Sequence, residues 1–234
     1  MKLALIGYGA MGKLIRQLAE HRGHEIAAVV DSADDRAITR ALAEKVGQAD
    51  VAIDFSTADA VRRNIEVCLL TRIPLVEGTT GWNTQLDSVE ELVRREGGAL
   101  IYGANFSIGV NLFYRVADYA AELFAKFPEY ETFIEEQHHS RKQDAPSGTA
   151  LKLKEIISRH IEKDFSVSAT RAGNIPGTHR VGFDGPADQI LLEHTARSRE
   201  GFAAGALMAA EWIVGKKGFY EFADVIDEII ASSR

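Results

Sequence analysis

The chain has 234 residues, 46% hydrophobic and 26% charged, with a formal net charge of −7. That length can bury one large core or two smaller ones. An acidic chain without a basic tract excludes nucleic acid as the expected partner, and no apolar run is long enough to span a bilayer.

Residues 2 to 7 form a short apolar run, as in a buried parallel strand. The run is too short, and too soon interrupted by glycine, to be a secretory leader. It ends in Gly7-Tyr8-Gly9-Ala10-Met11-Gly12, a Gly-x-Gly-x-x-Gly, and a helical pattern follows (Met11, Leu14, Ile15, Leu18). A second strand, Ile26 to Val30, stops at Asp31. Strand, glycine turn, helix, strand and acidic residue together predict a dinucleotide-binding unit. Gly7 makes the tight turn, Gly9 admits a pyrophosphate, Gly12 lets the helix pack closely, and Asp31 accepts from a ribose diol. His21 and His24 flank a turn and read as solvated.

The alternation continues with a strand at Val51 to Phe55. Ser56-Thr57 is expected to cap a helix carrying Val61, Ile65 and Leu69. The one cysteine, Cys68, lies in that pattern; it forms no internal disulfide, reads as core and fits a cytosolic setting. A fourth strand, Ile73 to Glu77, runs into Gly78-Thr79-Thr80-Gly81, at the sheet edge where open α/β folds bind ligands. A helix around Leu86 to Arg95 and a strand at Ala99 to Tyr102 follow. Trp82, like Trp212 later, reads as packing.

After Tyr102 the pattern changes. Gly103-Ala104-Asn105-Phe106-Ser107 leads to a helix with Leu112, Val116, Tyr119 and Leu123, then a strand at Glu131 to Gln137. That strand delivers His138-His139-Ser140-Arg141-Lys142 and the turn Asp144-Ala145-Pro146-Ser147-Gly148-Thr149, which opens onto a helical run from Ala150 to His160. Histidines titrate near neutral pH, Arg and Lys hold carboxylates, and a helix N-terminus attracts anions. Each feature alone reads as a solvated loop or a helix cap; together they predict an anion site with a proton donor. Adjacent histidines share no helix face, so no metal pair is expected. Strands at Val167 to Arg171, Arg180 to Phe183 and Gln189 to Glu193 follow, then helices at Phe202 to Val214 and Phe222 to Ile230. His160, His179 and His194 read as structural. The expected fold is α/β: a Rossmann-type doubly wound parallel sheet over 1–106, an α+β domain with a mixed sheet over 107–200, and a return of 201–234 to the first.

These motifs resemble dihydrodipicolinate reductase, also called 4-hydroxy-tetrahydrodipicolinate reductase, over nearly the whole chain. The resemblance rests on Gly7–Gly12, on Gly78–Gly81, on Ala104–Asn111 and above all on His138–Lys142 with Asp144–Ala150. It implies NADH- or NADPH-dependent reduction of a cyclic imine-type dicarboxylate on the diaminopimelate route to lysine. His138 is then the proton donor/acceptor, Lys142 the proton donor, and His139, Gly148 and Thr149 the substrate contacts. Gly7, Tyr8, Gly9, Ala10, Met11, Gly12, Asp31, Gly78, Thr79, Thr80, Gly103, Ala104, Asn105 and Phe106 are the implied cofactor contacts. Position within the family also suggests Arg199 near a substrate carboxylate. The family further implies a cytoplasmic homotetramer built through the second domain's sheet, without metal.

Lys142 stands among Arg141 and two histidines, and like charges make a lysine a readier acid. The glycine turn is shorter by one residue than in many family members. Asp31 is followed by Ser32 where a grip on a 2′-phosphate often has arginine, so NADH preference, or dual use helped by Arg36, is expected. Two other readings share the first domain: an amino-acid dehydrogenase of the same layout, such as aspartate dehydrogenase, and a non-catalytic dinucleotide sensor.

Overall fold

The structure is a computed structural model that describes residues 1–34 and 38–232. In chain order the strands are β1 Lys2–Ile6, β2 Glu25–Val30, β3 Val51–Asp54, β4 Leu75–Glu77, β5 Ala99–Tyr102, β6 Glu131–His138, β7 Ser166–Arg171, β8 Thr178–Asp184, β9 Gln189–Thr195 and β10 Gly218–Glu221. The α-helices are α1 Ala10–His21, α2 Thr39–Val46, α3 Ala58–Thr71, α4 Leu86–Arg95, α5 Ile108–Phe124, α6 Gly148–Ile157, α7 Glu200–Ile213 and α8 Phe222–Ser232. The contacts divide the chain into one unit of Met1–Ile108 with Arg199–Arg234 and a second of Gly109–Ser198.

The first unit holds a six-stranded sheet in the order β10-β5-β4-β3-β1-β2, with every pairing parallel. Its central strands are buried on both faces, which is why β1 and β3 read as unbroken apolar runs. Side chains alternate between two layers. Leu3, Leu5 and Ile53 pack with α1, α7 and α8; Ala4, Ile6, Ala52 and Leu75 pack with α2, α3 and α4. The order reverses between β1 and β3, and the carboxyl edge at such a reversal is where open α/β sheets bind ligands. Among the described residues, no helix is long and apolar enough to cross a membrane.

The second unit is a mixed four-stranded sheet, β7-β6-β8-β9: β6 and β7 run parallel, and the other pairs antiparallel. Ile134, Val181 and Phe183 face inward against Phe113, Ala117 and Ala121 of α5 and Leu153 and Ile157 of α6. On the outer face Phe133 lies over Gly182, where a Cβ would come within 2.1 Å of the ring.

Several local expectations need correction. The fourth strand starts at Leu75, because Pro74 lacks an N–H; its carbonyl accepts from Ala52 N–H at 2.9 Å. Thr57 is the N-cap of α3 but its side chain makes no capping bond. The helix after Ser147 stops at Ile157, so His160 lies beyond it, 2.9 Å from Asp118. His24 is half-buried and 3.1 Å from Glu211, not solvated. α2 and β10 are elements that the pattern reading passed over.

Candidate active site

In the first unit, local geometry explains the glycine turn. Gly7 has φ +83°, and a Cβ there would meet the Phe55 carbonyl oxygen at 2.3 Å. A Cβ on Gly12 would lie 2.2 Å from the Gly7 oxygen, so α1 is pressed against the turn. Gly9 differs: its Cβ would meet nothing within 4 Å. It precedes α1 without a side-chain cap, leaving the first-turn N–H groups for an anion. The space above it is a cavity of about 390 Å³ lined by residues 9–11, 55–58 and 78–80. Glycine at position 9, open helix N–H groups and a cavity at the sheet's reversal point fit the pyrophosphate end of a dinucleotide.

Of the other implied cofactor contacts, Tyr8 receives a hydrogen bond from Arg16 at 3.1 Å. Asp31 is exposed; its carboxylate accepts from Ala33 N–H at 2.9 Å and its own N–H donates to Asp34 at 3.0 Å. Asn105 accepts from Ser107 N–H at 2.8 Å. The Phe106 ring is buried against Phe222, with centroids 4.6 Å apart, which leaves its backbone for the implied contact. Gly103 and Ala104 do not line the cavity. Arg36 lies outside the described residues. Residues 55–58 are a site segment that sequence reasoning missed. The signal was there, since they follow a strand at the same carboxyl edge as Gly78, but their hydroxyls were assigned to a helix cap.

In the second unit, β6 carries Ile134, Glu136 and His138 inward on alternate positions. Glu136, 1% exposed, is the hub. Its Oε1 accepts from the Arg171 guanidinium at 2.6 Å and from Ser147 N–H at 3.0 Å. Its Oε2 lies against His138 Nδ1. Burial pushes the Glu136 carboxyl up, but Arg171, His138 and Ser147 N–H outweigh it and hold the group below its ordinary value. Burial pushes His138 down, against the upward pull of Glu136, with Lys142 and Arg171 adding to the fall. With Nδ1 on the carboxylate, Nε2 is left for chemistry, and it faces Gly177, where a Cβ would come within 3.1 Å.

Ser147 caps α6, its hydroxyl accepting from Ala150 N–H at 3.3 Å. Gly148 is exposed and Thr149 half-buried, at a helix start whose N–H groups suit a carboxylate. Lys142 Nζ is 2.7 Å from Asp144. Its nearest charge is therefore an anion, not the cations that flank it in sequence. Arg141 turns away to Asn174 at 3.0 Å. His139 is half-buried with Nδ1 unsatisfied, and Arg199 precedes α7 in the first unit.

His179 packs into the same cluster. It stands opposite Glu136 in the β6–β8 register, 5% exposed, with Nε2 3.0 Å from Ser147 Oγ and its ring 5.1 Å from that of His138. Burial lowers it to about 4, with the His138 charge adding to the fall. Arg171 was missed as well: it faces His138 across β6–β7. Glu136, His138 and His179 offer ligand atoms within 4.8 Å of one another. The carboxylate among them is already neutralised by a guanidinium, a poor start for a metal site.

Comparison with known proteins agrees with the motif resemblance over the full length. The family described as "Dihydrodipicolinate reductase, N-terminus" matches residues 1–106, and "Dihydrodipicolinate reductase, C-terminus" matches 109–226. A 4-hydroxy-tetrahydrodipicolinate reductase of Christiangramia forsetii is 38% identical, covering 98% of this chain and 99% of that one. One from Archaeoglobus fulgidus is 36% identical, covering 97% and 100%. Among solved structures, a dipicolinate-bound dihydrodipicolinate reductase from Paenisporosarcina superposes with a TM-score of 0.78 at 24% identity, covering 94% and 97%, and shares the fold.

Proposed function

The chain belongs to the dihydrodipicolinate reductase family, and on that premise we propose how its residues divide the reaction. It is an oxidoreductase that reduces 4-hydroxy-tetrahydrodipicolinate to tetrahydrodipicolinate with a nicotinamide cofactor, on the diaminopimelate route to lysine. The 4-hydroxyl leaves as water to give a conjugated imine; a bound nicotinamide would supply the hydride to it, and the resulting enamine-like anion takes a proton from the protein.

Residues 1–106 with 201–234 hold NAD(P)H, and 107–200 hold the substrate and mediate self-association. Gly9 to Met11 at the α1 N-terminus would hold the pyrophosphate, and Gly78 to Thr80 would contact the cofactor from the same cavity. Gly7 and Gly12 shape the turn beneath, and Gly103 to Asn105 contribute through their backbone. Asp31 takes the ribose diol and repels a 2′-phosphate, which favours NADH. One substrate carboxylate rests on the N–H groups of Gly148 and Thr149 and the Thr149 hydroxyl; His139 contacts the ring. Orientation by groups that do not themselves react is a large share of such catalysis. Lys142 donates the proton, and His138, fixed by Glu136 through Nδ1, presents Nε2 as proton donor or acceptor.

The observation that carries this reading is Glu136. One buried carboxylate binds both His138 and the Ser147 N–H at the head of α6, so the proton site and the anion site form one rigid piece. Phe133 and the exposed Leu191, aligned over Gly182 on the outer sheet face, favour a homotetramer assembled there. An enzyme of this biosynthetic step is expected in the cytoplasm.

The test follows the absorbance of NADH with the enzyme's substrate. Lys142→Ala and His138→Ala are each expected to lower kcat by roughly 10²–10⁴. Near-normal turnover in both refutes the roles. A strong preference for NADPH in kcat/KM refutes the reading of Asp31.

A further inference from the structure

Two buried carboxyls in the first unit have no part in the reaction just described. Asp54 ends β3 and Glu77 ends β4; they are register partners in adjacent parallel strands, and both are 0% exposed. Alternation along the strands turns them, with Ala52 and Leu75, toward the α3 and α4 layer. Asp54 Oδ1 accepts from Ser56 N–H at 2.8 Å, and Glu77 Oε1 accepts from Thr79 N–H at 2.8 Å. Thr79 Oγ1 ties the strands together, 3.0 Å from Ser56 N and 3.5 Å from Asp54 Oδ1. Ser56 and Thr79 both line the cavity assigned to the cofactor. Each carboxyl is therefore the anchor of one cofactor loop.

The groups facing this pair carry little charge. Asn64 of α3 donates to Asp54 Oδ2 at 2.7 Å, and the Cys68 thiol lies deeper on the same helix, pushed up by burial and by both carboxyls. Trp82, its N–H on the Thr79 carbonyl at 2.8 Å, and Tyr102 of β5 stand on the same side. The guanidinium of Arg63 reaches Asn64 Oδ1 at 3.5 Å, one residue removed from Asp54. Glu77 Oε2 is buried without a hydrogen-bond partner, so no donor compensates a charge on it.

We propose that Asp54 and Glu77 share one proton and act as a positioning pair for the cofactor loops, so that losing this proton in alkaline medium loosens the grip on NAD(P)H. Burial raises both carboxyls, Glu77 the more strongly, with the Asp54 charge second in its case. With the proton, only one of the two neighbouring carboxyls is charged, and both loop anchors hold their places. Without it, two buried anions repel across adjacent strands, and Ser56 and Thr79 move apart with them. The proposal rests on the assignment of the cavity to the cofactor.

The experiment is a fluorescence titration of the full chain with NADH, without substrate, from about pH 7 to 9.5. Wild type is expected to weaken roughly tenfold over that range, about 1.4 kcal/mol. Glu77→Gln, which cannot lose a proton, is expected to hold a near-constant Kd. Parallel weakening in the two proteins overturns the proposal. Gly9→Leu, whose side chain enters the cavity without meeting protein, is expected to lose NADH; unweakened binding there overturns the cavity assignment instead. Carbon-13 NMR of the wild-type carboxyls needs no variant. One carboxyl still protonated at neutral pH is expected, and full ionisation overturns the shared proton.

Discussion

Glu136 and Glu77 are the same side chain, equally buried, near the end of a strand and hydrogen-bonded to a loop N–H, yet they are held in opposite charge states. Glu136 has Arg171 and His138 against it and stays a carboxylate. Glu77 has another carboxyl across the sheet and is pushed well up by burial and by that charge. Burial alone decides neither case, because it raises both; the sign of the neighbour decides. The second unit thus clamps a carboxylate beside the histidine and lysine proposed to move protons, and the first buries the carboxyl pair proposed to hold one proton.

The comparison breaks most visibly through the clamp. Arg171→Met strands a buried anion and is expected to cost about 3–5 kcal/mol in urea unfolding, with much of that restored by adding Glu136→Gln. Glu77→Gln above neutral pH is expected to be neutral or stabilising. Equal losses in Glu136→Gln and Glu77→Gln would end the distinction.

Next in size is the response to acid. His179 sits near 4 when folded against 6.5 ordinarily, so between those values the unfolded chain binds a proton that the folded one refuses. Stability falls as pH drops from 6.5 to 4, on the order of 3 kcal/mol, and His179→Phe should flatten that slope. The Asp54–Glu77 pair has the reverse sign: its contribution is full below the ordinary carboxyl range and is lost as pH rises through the raised folded values. Unfolding midpoints of the two variants across pH 4 to 8 sharpen or erase this opposition. The smallest effect is Ser147→Ala, about 1 kcal/mol for a lost cap, read as a lower Tm.

How legible each part was follows from the range of the contacts. The glycine turn and the His138–Thr149 stretch are local, so spacing alone marked them. His179 and Arg171 are 41 and 33 positions from His138 and reach it only through strand register, which no motif encodes. Reading β8 as starting at Arg180 left His179 in a loop; the strand begins two residues earlier. The edge strand β10 is four residues long and not fully buried, too short for alternation to register. Residues 55–58 were misread because serine and threonine after a strand suit a cap and a ligand loop equally.

The return of the chain also bears on how the protein is made. α7 and α8 supply Ala203, Ala206, Leu207, Phe222 and Val225 to the core beneath the parallel sheet, and β10 adds its last strand. A ribosome finishes 109–198 while that face of the first sheet has only α1 on it. The unit with the proton site can close on its own during synthesis, whereas the dinucleotide unit waits for residues that emerge some hundred positions later. The nascent intermediate with the most exposed apolar surface is therefore a Rossmann sheet with one face only partly covered.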